Sequence, residues 1–397
     1  MKNKERNKAI EIGVVCIFSY LASYYMRNIL SVLTPDMLET KLFTKEMLGT
    51  FSSVYFFVYA LGQLLNGRLG DKVKPKYMVL CGLSVCGVSS VAFAFTGQMY
   101  ERILVFALMG YSLSMLRGPL VKTISENTIP KYARICCVFF SFSQFAGPLI
   151  ASFFAMAFNW RLTFIVAGLS CVVIGFCAYF VFAILEKRGD ITYTVTTKES
   201  GNKNFWSVFK LENFVFYMII GALTQIASSS IGFWIPTYLT ERLRFDKDVA
   251  NLIFSANSLI RSFVPFMMLI VLKFFKNNDV KLVKYSFLIS TMFFVGVLMI
   301  SNRYINVVCF LFGFISVAFA SSALWSAYIP SQGKSGMVST INGVLDFSGY
   351  AASAVANFVF SFTIDRMGWN GIVTMWIVLM AIGVVVAVLN KKKCVDN

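Results

Sequence analysis

The chain has 397 residues, 57% of them apolar and 14% charged, with a mean hydropathy of +0.70 and a net charge of +17. Soluble chains carry about 25% charged residues, and so few charges cannot cover this much apolar surface in water. Soluble enzymes, nucleic-acid binders and secreted modules are excluded. Histidine is absent, which removes His-based metal sites, general bases and proton relays. Of nine cysteines, eight lie in apolar runs and Cys394 lies in the tail, with no metal spacing; they read as small core residues. No catalytic constellation or cofactor motif stands out.

Twelve apolar segments follow in chain order, at roughly 12–34, 47–67, 77–98, 103–121, 135–158, 162–185, 214–240, 249–272, 282–301, 304–328, 335–363 and 369–390. Lipid offers no partner to an unpaired backbone group, so each is expected to be helical. The predicted fold is an all-α membrane protein of twelve transmembrane helices. The longest polar stretch, 186–213, divides it into an N-terminal six-helix bundle (1–185) and a C-terminal one with a short tail (214–397). Of the Lys and Arg residues, 24 fall on the side of the termini and 9 on the other. The positive-inside rule therefore predicts both termini in the cytoplasm.

The halves repeat. Pro35 ends the first span and Pro236 the seventh; Ile129-Pro130 follows the fourth and Ile329-Pro330 the tenth; Trp160 and Trp369 open the sixth and twelfth. Parallel six-helix repeats are a transporter architecture, with a substrate site near mid-membrane open to each side in turn.

Four formal charges remain inside spans: Arg27, Arg117, Arg261 and Asp346. Each costs about 2.5–3.5 kcal/mol at a helix centre on insertion scales, so each is expected in a wet cavity or paired in the interior. Arg27 shares a helix face with Tyr24 and Ser31. It reads as a fork for carboxylate or phosphate oxygens, or as a structural arginine on neighbouring carbonyls. Arg261 and Asp346 fall at similar depth in the eighth and eleventh spans, which predicts a salt bridge between them. Asp346 then serves as counterion or as a protonatable coupling carboxylate. Arg117, nearer the inner end of the fourth span, either binds ligand or snorkels. Tyr59, Gln144, Ser228, Asn257, Trp325 and Asn342 add uncharged polar groups that suit a ligand or helix–helix contact.

The loop after the second span reads Gly67-Arg68-Leu69-Gly70-Asp71-Lys72-Val73-Lys74-Pro75-Lys76. It resembles the signature loop of the major facilitator superfamily. Asp71-Lys72-x-x-Pro75-Lys76 resembles the organophosphate:phosphate antiporter family within it. Tyr24-x-x-Arg27 with Pro35, Trp234-Ile235-Pro236-Thr237-Tyr238-Leu239-Thr240-Glu241, and Gly343, Gly349, Ser353, Asp365 and Gly368-Trp369-x-Gly371 are similar to its first, seventh, eleventh and twelfth helices. The resemblance implies that the first, second, fourth, fifth, seventh, eighth, tenth and eleventh helices line the cavity, and that Gly67, Asp71 and Lys72 form a cytoplasmic latch. It also implies two phosphate-gripping arginines. Arg27 matches the first, but the second position holds Ser228, and the family's fifth-helix histidine has no counterpart. Arg261 is the candidate substitute.

Three membrane arginines against one aspartate favour an anionic ligand. The expected protein is a secondary transporter of a small organic anion, a phosphorylated metabolite or a carboxylate, in the cytoplasmic membrane of a bacterium. Its expected partners are lipid and a proton or phosphate as the coupled ion, with no cofactor or nucleic acid, and it is expected to be a monomer. A transporter-like sensor of the same anion and a proton-coupled exporter are the alternatives.

Overall fold

The computed structural model describes residues 2–193 and 205–390. Part of the 186–213 linker and the tail with Cys394 lie outside the described residues, as do the side chains of Pro35, Pro236 and Asp365. The described chain falls into two compact units. One is formed by residues 1–208 with 329–347, the other by 209–328 with 348–397.

The first unit contains α1 (Lys2–Glu39), α2 (Lys45–Lys72), α3 (Pro75–Phe93), α4 (Met99–Leu113), α5 (Arg117–Asn127), α6 (Pro130–Ala157) and α7 (Trp160–Lys187). Local chemistry sets their starts. Thr44 and Asn159 accept a backbone N–H in the first turn of α2 and α7, and Pro75 and Pro130 open α3 and α6, where a missing N–H costs nothing. The segment 103–121, expected as one span, is interrupted between α4 and α5. Pro119 cannot donate to the carbonyl one turn back, and the chain tightens there, with Met115 bonding to Ser112 and Leu116 to Leu113. Arg117 is thus the first residue of a new helix. Within the unit α3 packs on α7, α1 on α6 and α2 on α4. Phe43, Phe51, Phe93, Phe106, Trp160 and Phe164 interlock as one aromatic cluster.

The second unit contains α8 (Phe214–Thr237), α9 (Lys247–Phe274), α10 (Asp279–Met299) and α11 (Arg303–Ala323). Asn278 and Asn302 cap α10 and α11. Trp376 anchors its core against Phe294, Phe310 and Phe360. The short α12 (Ile329–Ser331) belongs to the first unit, and α13 (Val338–Leu389) begins in the first and continues in the second. At Gly368 α13 breaks with φ 59° and ψ −159°, a conformation that favours glycine. This break separates the segments expected as the eleventh and twelfth spans.

Ten helices among the described residues are long and apolar enough to cross a membrane. The other two expected spans, 47–67 and 335–363, are helical but more polar. Their polarity faces inward: Gln63, Asn66, Ser339 and Asn342 are all buried.

Candidate functional site

In the first unit Asp346 is 5% exposed and receives a hydrogen bond from Arg117 Nη1 at 2.9 Å. Asn342, one turn earlier on α13, donates from Nδ2 to the other carboxylate oxygen at 3.2 Å. Arg27 is near enough for its charge to act on Asp346, and Tyr20, Tyr24 and Tyr59 lie around Arg117. Among the described residues Asp346 forms its ion pair with Arg117, within the first unit; Arg261, the expected partner, belongs to the second. The break before α5 places Arg117 at a helix start, where its side chain turns inward instead of snorkelling. Matching depth, on which the Arg261 pairing rested, fixes height along a helix and leaves its direction open.

Arg27 lies on the wall of a cavity of about 390 Å³ lined also by Asn28, Ser31, Thr34, Ser52 and Tyr55. Its guanidinium carbon sits 4.9 Å from the Tyr59 ring centre, 5.0 Å from Phe56 and 5.7 Å from Tyr24. Cation–π contacts hold the planar head against three rings at the cavity wall. Ser31 shares the cavity but donates its hydroxyl to the Asn28 carbonyl.

At the end of α2, Asp71 caps the N-terminus of α13. Ser339 N donates to one carboxylate oxygen at 3.1 Å, Thr340 N to the other at 2.8 Å, and the Thr340 hydroxyl also donates to the second. A carboxylate at a helix N-terminus meets unpaired N–H groups and the positive end of the dipole. Burial pushes the Asp71 carboxyl above the ordinary carboxylate range, against the pull of Thr340 and Lys122. Lys122 of α5, only 1% exposed, lies 3.8 Å from the carboxylate and donates to the Gly70 and Asp71 carbonyls. Lys72 is exposed, so the buried cation here is Lys122. The same helices touch through bare backbone. A Cβ on Gly343 would stand 2.2 Å from the Gln63 carbonyl oxygen, and one on Gly67 would stand 3.0 Å from the Gly343 Cα.

In the second unit Arg261 of α9 donates from Nη2 to Ser228 Oγ of α8 at 3.2 Å, with its guanidinium carbon 3.6 Å from the Phe314 ring centre. It thus reaches the position where the resemblance places a second arginine. Asn257 is buried one turn earlier. Gln144 is exposed on α6, and Trp325 is half-buried just after α11. The sequence reading missed Lys122, Ser339, Thr340 and Tyr20. The signal for Lys122 was a lone cation directly after Gly118-Pro119-Leu120-Val121.

The sequence profile of the Major Facilitator Superfamily matches residues 16–357. The chain is 23% identical to the Probable sulfoacetate transporter SauU of Cupriavidus necator, over 93% of this chain and 90% of that one. It is 21% identical to the Phosphoglycerate transporter protein of Salmonella typhimurium, over 59% and 57%. In three dimensions it is similar to the bacterial homologue of the iron transporter ferroportin in its outward-facing state. That match has a TM-score of 0.75 and 12% identity, and covers 95% of this chain and 98% of that one.

Proposed function

The chain belongs to the Major Facilitator Superfamily of membrane transporters, and on that premise we propose that it moves a small organic anion across the cytoplasmic membrane by alternating access. The carrying observation is the charge balance inside the spans: Arg27, Arg117 and Arg261 against Asp346. Arg117 and Asp346 neutralise each other. Arg27 lines a cavity, and Arg261 meets a hydroxyl and a ring in place of a carboxylate. An excess of positive over negative charge within the spans favours a negatively charged ligand. The names of the relatives, a sulfonated carboxylate transporter and a phosphoglycerate transporter, support the same class.

In this reading Arg27, with Tyr24 and Tyr59 beside it, is the candidate anion-binding arginine of the first unit, and Arg261, with Ser228, that of the second. Asp346 is the resting counterion of Arg117, and an incoming anion competes with it for the guanidinium. Asp71, Lys122, Ser339 and Thr340 close the cytoplasmic end, and both termini lie in the cytoplasm. The test is uptake of labelled sn-glycerol 3-phosphate, 3-phosphoglycerate and sulfoacetate into proteoliposomes loaded with phosphate or carrying a pH gradient. Accumulation of at least one is expected. Binding without accumulation in any condition would indicate a sensor and overturn the transport reading.

A further inference from the structure

On α9 of the second unit, three buried polar atoms lack partners among the described residues. Asn257 is 1% exposed, and among the described residues neither its amide nitrogen nor its amide oxygen is hydrogen-bonded. One turn later on α9, and so on the same face, Arg261 Nε is also buried without a partner. The rest of Arg261 is fixed by Ser228 on one Nη atom and by the Phe314 ring against its face. Buried side-chain polar atoms are nearly always satisfied. Three orphans on one helical face, beside a held guanidinium, mark a place where the partners arrive with a ligand.

The orphans specify its chemistry. The open edge of Arg261 carries an N–H and a positive charge, and takes an anionic oxygen. Asn257 presents both a donor and an acceptor. An ionised carboxylate or phosphate oxygen satisfies the amide nitrogen but has no hydrogen for the amide oxygen. Hydroxyl groups do both. We infer that Asn257 is a specificity-determining residue that reads hydroxyls on the transported anion, next to an Arg261 that takes the anionic group. The inference rests on the anion-transporter reading and narrows it to hydroxylated anions, as opposed to anions that bear no hydroxyl. A site built to bond a hydroxyl rejects the analogue lacking it, because its own polar atoms are then left unpaired.

The experiment uses the purified full-length protein and two matched pairs of probes: sn-glycerol 3-phosphate against propyl phosphate, and glycerate against propionate. Affinities are read from the concentration dependence of thermal stabilisation. In at least one pair the hydroxylated member is expected to bind roughly tenfold more tightly or better. Asn257→Leu should shrink that gap to about twofold. Asn257→Ser keeps a donor and an acceptor and should retain part of the gap. Equal binding within both pairs by the unaltered protein overturns the inference and leaves the anion reading standing, as does a gap that survives Asn257→Leu. Binding of none of the four probes overturns both.

Discussion

Arg117 Nη1 lies 2.9 Å from Asp346 Oδ1, joining residues 229 positions apart within one compact unit. Both charges sit in the interior, so each depends on the other for its solvation. Neutralising one alone, as Arg117→Gln or Asp346→Asn, is predicted to cost about 3 kcal/mol or more, because the remaining charge is stranded. The double neutral variant should recover most of that loss. A double-mutant cycle on detergent-solubilised protein measures the coupling; simply additive losses would show that the pair does not hold the fold.

Arg27→Gln should leave the melting temperature nearly unchanged and weaken anion binding about tenfold to a hundredfold, the worth of charge-assisted hydrogen bonds. The aromatic rings around the guanidinium can still close on the shorter neutral amide. Uptake at the unaltered rate by this variant would remove Arg27 from the grip.

The Asp71 cap predicts a gate that can be loosened without touching the ligand. Ser339 is fully buried, so a Ser339→Cys reporter should react slowly with a membrane-impermeant maleimide. Lys122→Met leaves Asp71 without its nearby cation and should speed that labelling severalfold at unchanged ligand affinity. If affinity collapses while labelling stays slow, Lys122 and Asp71 serve the binding site and not the closure.

Gly343→Ala tests the same closure by shape alone. The added methyl would meet the Gln63 carbonyl oxygen at 2.2 Å, a backbone atom that cannot swing aside. Faster labelling of the Ser339→Cys reporter is expected, with no charge altered. Unchanged labelling would mean that α2 and α13 separate too little for their glycine contact to matter.

Moving an arginine back across the Arg261–Ser228 hydrogen bond gives a further prediction. Arg261→Gln should lose most anion binding. Adding Ser228→Arg to it should restore a substantial part, because the donor atom and the acceptor it reaches are 3.2 Å apart. Titration of both variants with sn-glycerol 3-phosphate decides; no recovery in the double variant would separate the two positions functionally.

Helices and their approximate limits were legible in the sequence, because lipid allows a long apolar run little else. Asn342 was singled out as a polar group of its span, and it is buried. Partner choice was not legible. Arg261 and Asp346 were paired by counting residues along two helices, whereas the Pro119 break turned Arg117 toward Asp346. Lys122 escaped notice because a loop lysine beside a span normally reaches water, and only packing shows that its amine ends on the Gly70 and Asp71 carbonyls. The clusters that phenylalanines build at Phe93 and Trp376 are not marked by any sequence pattern.

The division of α13 has a mechanical consequence. Its first turns, to residue 347, pack with one unit and the remainder with the other. Asp71 and Arg117 grip the first portion at Thr340 and Asp346. Two grips from the first unit thus fix its opening turns, and a helix anchored at two points cannot turn about its own axis without breaking one of them.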